Sequence, residues 1–326
     1  MRKLALLLSL LLVLSALSAL SACATAKKPT DGTAEGSAGP STELPAGPST
    51  EPPTAAAIPA DTTPVSDFHW QTLKDGTVSA RYNGTAVNIV FPSQIDGKPV
   101  TVIAGVSTVR ETLVSVTLPD GVREITDEAF KDCASLSAIN LPASLEKIGR
   151  EAFAGCTSLK EIEIASDCLT PLGYSAFVNA GLERVVLHEG ITRVPDGTFA
   201  CTQIEEIVLP STVRTIDFQA FAACPRLKKV VLNEGLTTVS DCAFAADTAL
   251  TEIVIPRTVT EIKDMAFTSC EALEKVKFEG NAPTQFCYPP EPLPMEPYNV
   301  HFKVCYHATA TGFTSPEWNG YQTEIW

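Results

Sequence analysis

Apolar residues recur along most of this chain in one fixed order. A Phe, usually preceded by Ala, returns at Phe130, Phe153, Phe177, Phe199, Phe221, Phe244 and Phe267, every 22 to 24 residues. Each Phe is followed by an L-x-x-I-x-L element, as in Leu136/Ile139/Leu141, Leu182/Val185/Leu187 and Leu250/Ile253/Ile255. Leu113/Val116/Leu118 precedes the first Phe, so this strand element occurs eight times. A second apolar pair follows, as in Val122/Ile125, Leu145/Ile148, Val213/Ile216 and Val259/Ile262. One such unit is too small to enclose its own side chains. Stacked units cover one another, and their apolar columns merge into a continuous core. The strand elements then pair in parallel at about 4.8 Å, and eight coils span roughly 40 Å. The Phe column is read as core and not as a cofactor site.

The repeating text LPxxVxxIxxxAFxxCxxLxxI reads cleanly at 118–139, 141–162, 209–230 and 255–276. It resembles the BspA-like leucine-rich repeat family of bacterial surface proteins. Tyr82-Asn83-Gly84 through Val100 is similar to that family's opening segment, and Thr311 to Tyr321 to its closing one. Asn83-Gly84 is also a hairpin signal in its own right. Pattern and resemblance together imply a leucine-rich-repeat solenoid. It is a right-handed stack of about eight coils of 22–24 residues, with a parallel β-sheet on one face and short β or turn elements on the other. The expected boundaries are a capping hairpin and degenerate first coil at 67–112, repeats at 113–282, and an insert and closing segment at 283–326. Three departures locate local irregularity: no Ala-Phe step at 103–113, an insertion near 165–172, and a Pro-rich stretch at 283–297.

The first 66 residues follow other rules. Arg2 and Lys3 precede a Leu/Ala/Val/Ser run from Leu4 to Leu20, the pattern of a secretory signal over 1–22. Leu20-Ser21-Ala22-Cys23 resembles the bacterial lipobox, which implies acylation of Cys23 and a new N-terminus there. Two or more acyl chains would hold the chain on a membrane. Residues 24–66 contain no aromatic and repeat Gly-Pro-Ser-Thr-Glu at 39–43 and 47–51. Such a segment buries too little apolar area to order itself, and its coil reach is roughly 36 Å. It reads as a tether lifting the folded part off the membrane.

The formal charge is −14, and removing residues 1–22 makes it more negative by two. That sets nucleic acid aside as a partner. In the strand elements, residues flanking the central Ile point outward. One outward column reads Glu161, Arg184, Glu206, Lys229, Glu252, Lys275, with alternating sign. At strand spacing these become neighbours, and a one-coil slip would juxtapose like charges. The column is expected to set register. The next column holds Val186, Val208, Val231 and Val254. An apolar stripe bordered by charge suits a protein or glycan partner. The candidate binding face is therefore Val186, Val208, Val231 and Val254 with Arg184, Glu206, Lys229 and Glu252.

Ten cysteines invite a disulfide reading, but Cys133, Cys156, Cys201, Cys224 and Cys270 are read as one buried repeat slot, occupied by Asp247 in another coil. Cys168 and Cys242 lie off that column. Cys287 and Cys305 are the remaining pair, with their bonding left open. His301, Cys305 and His307 share strand parity, yet a fourth metal ligand is missing, so no metal is assigned. His69 and His188 show no partner in the sequence. No phosphate loop, nucleophile elbow or carboxylate pair appears, and no cofactor is expected. The resemblance implies a non-catalytic, lipid-anchored extracytoplasmic module for adhesion or protein binding, facing an unknown protein or glycan on a host or neighbouring cell. The alternative is a lipid-anchored glycan- or solute-binding component. The chain is expected to be a monomer, with self-association through its end strands left open.

Overall fold

The computed structural model describes residues 63–164, 172–286 and 302–326. The signal segment, Cys23, the tether up to Thr62, Cys168, Cys287, His301 and most of the Pro-rich insert lie outside the described residues. Thr62–Trp326 is one compact unit. It is a parallel β-solenoid of about 10 turns. Ordered contacts begin a few residues before the expected boundary at 67: Thr63 is buried, and its Oγ1 accepts the Val90 N–H at 2.9 Å.

Each coil has three sides. The first is the L-x-x-I-x-L strand, seen at Glu161–Ile164, Arg184–Leu187, Glu206–Val208, Lys229–Val231, Glu252–Ile255 and Lys275–Phe278. The column extends past the eight expected strands. Asn88–Val90 heads it, and Lys303–Tyr306 and Tyr321–Ile325 continue it at the far end. The second side is a two-residue strand, such as Arg193–Val194, Thr215–Ile216, Thr238–Val239, Glu261–Ile262 and Gln285–Phe286, which pair in that order. The third side is the Ala-Phe turn.

The turn does most to join one coil to the next. In every coil the residues two before and two after the Phe have positive φ: Glu128 and Asp132, Glu151 and Gly155, Ser175 and Asn179, Gly197 and Cys201, Gln219 and Ala223, Cys242 and Ala246, Met265 and Ser269. Left-handed backbone costs a non-glycine residue roughly 1–2 kcal/mol. The reward is direction. The N–H groups of those two residues and of the Phe all point to the next coil. Glu128, Phe130 and Asp132 donate to the carbonyls of Arg150, Ala152 and Ala154 at 2.7–2.9 Å. The same three bonds recur at all six junctions from Phe130 to Phe267. At the N-terminal end of this ladder, Val106 N–H takes the Ala129 carbonyl, and Arg110 Nη1 covers those of Glu128 and Lys131 at 3.3 and 2.6 Å. Gly105 stands where the first Ala-Phe step is missing. Its φ is +86°, and a Cβ there would lie 1.9 Å from the Ala129 carbonyl oxygen.

Inside the turns the seven Phe rings form one stack. Centroids are 5.2–5.9 Å apart and planes lie 3–16° from parallel. Phe302 ends the stack edge-on at 6.2 Å. Burying each ring contributes roughly 1.5–3 kcal/mol.

Two sequence expectations are corrected here. The N-terminal hairpin joins β1 (Phe68–Thr72) to β2 (Val78–Tyr82), and it turns at Lys74-Asp75-Gly76, closed by Leu73 N–H on the Thr77 carbonyl. Asn83-Gly84 lies beyond β2 instead, where the ring of Tyr82 folds over Gly84 and its Oη accepts the Ala86 N–H. The second correction concerns the thiol slot, three residues after each Phe. It holds Cys133, Cys156, Ala180, Thr202, Cys224, Asp247 and Cys270, all buried. Cys201 is one residue early, at the left-handed position, and Thr202 fills its coil's slot. The slot also links coils, since Cys156, Cys224 and Cys270 donate Sγ–H to the Phe carbonyl of the preceding coil at 3.2, 3.3 and 3.0 Å.

Candidate functional site

The candidate face lies on the first side of the coil. Alternation along each strand turns Val185, Ile207, Val230 and Ile253 into the core and leaves the residues on either side outward. The outward valines are not equivalent. Val208 is 54% exposed and Val231 37%, whereas Val186 and Val254 are half-buried. Register accompanies the difference. Val208 lies opposite Val231, while Val186 lies opposite Glu163 and Val254 opposite Lys277, side chains long enough to shade a neighbouring valine. The expected four-valine stripe is thus a two-valine patch with shielded flanks.

The strand ladder is also not continuous. It breaks after Ala138–Ile139, after Arg184–Leu187 and after Lys229–Val231. Glu206–Val208 and Lys229–Val231 therefore form a two-stranded island, which carries both exposed valines.

Charge pairing follows the expected alternation only in part. Arg184 meets Glu161 at 2.5 Å and Lys229 meets Glu206 at 2.5 Å. Glu252 takes Lys277 at 2.8 Å instead of Lys275, which lies 3.9 Å from Glu324. The pairs Arg184–Glu206 and Lys229–Glu252 are not among the ion pairs of the described residues. Along this one column the pairs therefore form within sheet segments and not across the breaks. A further column was missed from sequence: Glu183 pairs with Lys160 and Arg226, and Glu205 pairs with Arg226 and Lys228. His188 also has a partner, Glu163 Oε1 at 2.6 Å. It was hidden because the two residues are 25 positions apart, and only the coil pitch brings them together. Each exposed pair contributes about 0–1 kcal/mol. The patch is thus bordered by charges that are already matched, and covering it does not require burying a lone ion.

Elsewhere the chemistry is quiet. Burial raises the thiols of Cys133 and Cys242 to about 11 and about 12, and raises those of Cys156 and Cys224 as well. Such thiols stay protonated and are poor nucleophiles. Asp247 is fully buried. Its Oδ1 accepts the Cys224 N–H at 2.8 Å, while Oδ2 has no partner among the described residues. Burial raises its carboxyl pKa well above the ordinary value, which favours the protonated form. Cys305 is buried opposite Lys277, and His307 stacks on Trp326 at 4.8 Å. Among the described residues no three His, Cys, Asp or Glu side chains gather as a metal site. Also among them, no helix is long and apolar enough to cross a membrane. An open groove of about 470 Å³ runs past Arg257, Thr260, Asn281, Thr284 and His307, with no Phe, Tyr or Trp in its lining.

Six copies of the BspA type leucine rich repeat region match residues 108–201 and 192–285. No curated protein matches the chain. Among solved structures, it is similar to a leucine-rich repeat protein from Bacteroides ovatus, at 22% identity and a TM-score of 0.56, over 81% of this chain and 76% of that one. It is also similar to a leucine rich cell surface protein from Faecalibacterium prausnitzii, at 20% identity and a TM-score of 0.38, over 68% and 89% of the two chains. A leucine-rich repeat protein of T. pallidum is 26% identical, with a TM-score of 0.35, over 67% and 86%.

Proposed function

The chain belongs to the BspA-type leucine-rich repeat family, and from that premise we propose that it is a cell-surface module, non-catalytic, that binds another protein through the strand face around Val208 and Val231. The observation that carries this reading is the island itself. Its two valines are exposed, a ladder break lies on each side, and its charged border is already paired. A partner covering it gains apolar burial at about 25 cal/mol per Å² and desolvates few unmatched charges. Glu206, Lys229, Arg184 and Glu252 form the rim, and Val186 and Val254 the shielded flanks.

In this proposal Cys23 carries the lipid, residues 24–62 are the spacer, and adhesion to a host or neighbouring cell is the outcome of display. Metabolic labelling with a radioactive fatty acid should mark the wild-type protein and not the Cys23→Ala variant, and an unlabelled wild type would reject the anchor. The binding test is a screen of the chain against arrayed proteins and glycans. Val208→Glu with Val231→Glu should abolish protein binding while the melting curve is retained, and intact binding would reject the face. The groove beside Arg257 and His307 supports a second reading, in which the chain takes a polar solute or glycan. Glycan binding that survives the valine changes and is lost in Arg257→Ala would favour it.

A further inference from the structure

Among the described residues, β1 is the free edge of the sheet that runs β1, β2, then Lys98–Val106. Two flanking bonds fix which way its backbone faces. Asn83 N–H donates to the Asp67 carbonyl, and Leu73 N–H to the Thr77 carbonyl. In an antiparallel ladder, hydrogen-bonded pairs then fall at Asp67, His69, Gln71 and Leu73. Phe68, Trp70 and Thr72 lie between them: all three turn their C=O groups outward, Trp70 and Thr72 also turn their N–H groups outward, and the Phe68 N–H is taken by the Val65 carbonyl. Edge strands of this kind are normally blunted by Lys, Pro or a bulge. Phe68-His69-Trp70-Gln71-Thr72 contains no Pro and no formal charge at neutral pH, in a chain with 38 acidic residues. Trp70 shares a face with the buried Phe68 yet is 37% exposed, and Val65 just before the strand is 42% exposed.

The ends of β1 carry opposite charge. Lys74 follows the Thr72 end, and Lys98 Nζ donates to Thr72 Oγ1 at 2.9 Å. Asp67 precedes the Phe68 end. Asp75, in the same turn as Lys74, is folded back onto Thr77, accepting its N–H at 3.0 Å and its hydroxyl at 2.7 Å. An antiparallel copy of the same strand would therefore meet its complement at both ends.

We propose that β1 pairs with β1 of a second copy of this chain, about a two-fold axis through Trp70. In that register Trp70 exchanges both backbone bonds with Trp70 of the second copy, and the Phe68 carbonyl accepts the Thr72 N–H in both directions, the Phe68 N–H staying on Val65. Two tryptophans become cross-strand neighbours, and each Asp67 lies alongside the Lys74 and Lys98 end of the other copy. This goes beyond the binding face, which lies on a different side of the coil. It also departs from the monomer expected on sequence alone.

The test is sedimentation velocity of the full chain carrying Cys23→Ala, so that no acyl chain drives association, over about a hundredfold range of concentration. The wild-type edge should give a reversible dimer. Trp70→Pro removes one outward donor and no bond to β2, so it should abolish the dimer while circular dichroism is unchanged. Lys74→Glu, at an exposed turn, should weaken the dimer about tenfold, and Asp67→Lys added to it should restore it. Trp70→Cys should form an intermolecular disulfide on oxidation, because the Cα atoms of such a pair lie about 5.5 Å apart. A chain that stays monomeric throughout would overturn the proposal. So would a dimer indifferent to both Trp70→Pro and Lys74→Glu.

Discussion

The turn side and the strand side of the coil stack the same repeats in different ways. On the turn side, three backbone bonds cross every junction from Phe130 to Phe267, and seven rings stack without a gap. On the strand side the ladder breaks three times, and the column from Glu161 to Lys275 pairs only within the bonded segments. The turn side accepts backbone strain at two positions per coil in return for aligned donors. The strand side carries little strain and little obligation. A stack secured on one side leaves the other free to vary its surface, which is what a binding face requires. Coil-to-coil attachment and the proposed binding face lie on different sides of the coil.

That contrast can be broken most forcefully at the ring stack. Phe199→Ala, at its centre, should cost about 3–5 kcal/mol in denaturant unfolding, whereas Val208→Ala, about as far along the chain but outward, should stay within about 0.5 kcal/mol. Equal losses would end the distinction.

The slot column sharpens the contrast through pH. Asp247 has a folded-state pKa raised above that of the unfolded chain, chiefly by burial. Its contribution is therefore fully present below the unfolded value near 3.8 and is lost as pH rises through the folded value. Asp247→Asn keeps the acceptor for Cys224 N–H but cannot ionise. It should melt with the wild type near pH 4 and be more stable by about 1–3 kcal/mol at pH 8. A gap that is constant with pH would show that Asp247 is not neutral in the fold.

A smaller effect is expected at the left-handed positions. Ala223 has φ +58°, at a place where other coils use Gly155 and Cys201. Ala223→Gly should raise stability by about 1 kcal/mol, measured as a shift in unfolding midpoint. Least of all should come from the face. A double-mutant cycle on Glu206 and Lys229, both about half exposed, should give about 0.2–1 kcal/mol of coupling that fades in high salt.

The two sides also differ in how legible they were. The Phe stack and the inward strand positions could be read because period and apolarity are properties of sequence itself. The thiol slot was read with an error at Cys201, since a coil of 22 residues shifts the count by one and Thr202 disguises the slot. The left-handed pairs were invisible. Glu128, Glu151, Gln219 and Met265 are not residues that announce positive φ, and the inter-coil bonds hold them there. The face was legible as a list of outward residues but not as a surface. The structure alone shows that Val186 lies opposite Glu163 while Val208 lies beside Val231, and that Glu252 reaches Lys277 and not Lys275. The outward edge of β1 escaped for a similar reason, because the hairpin turns at Asp75-Gly76 and not at Asn83-Gly84.

Native-state hydrogen exchange tests the division between the two sides most directly. The amides of Phe153, Phe177, Phe199, Phe221 and Phe244, with their left-handed neighbours, should exchange only on global unfolding. Outward amides flanking the strand breaks, at Glu252 and Val254, should exchange orders of magnitude faster through local opening. Turn amides that exchange as fast as those at the breaks, or faster, would contradict the account.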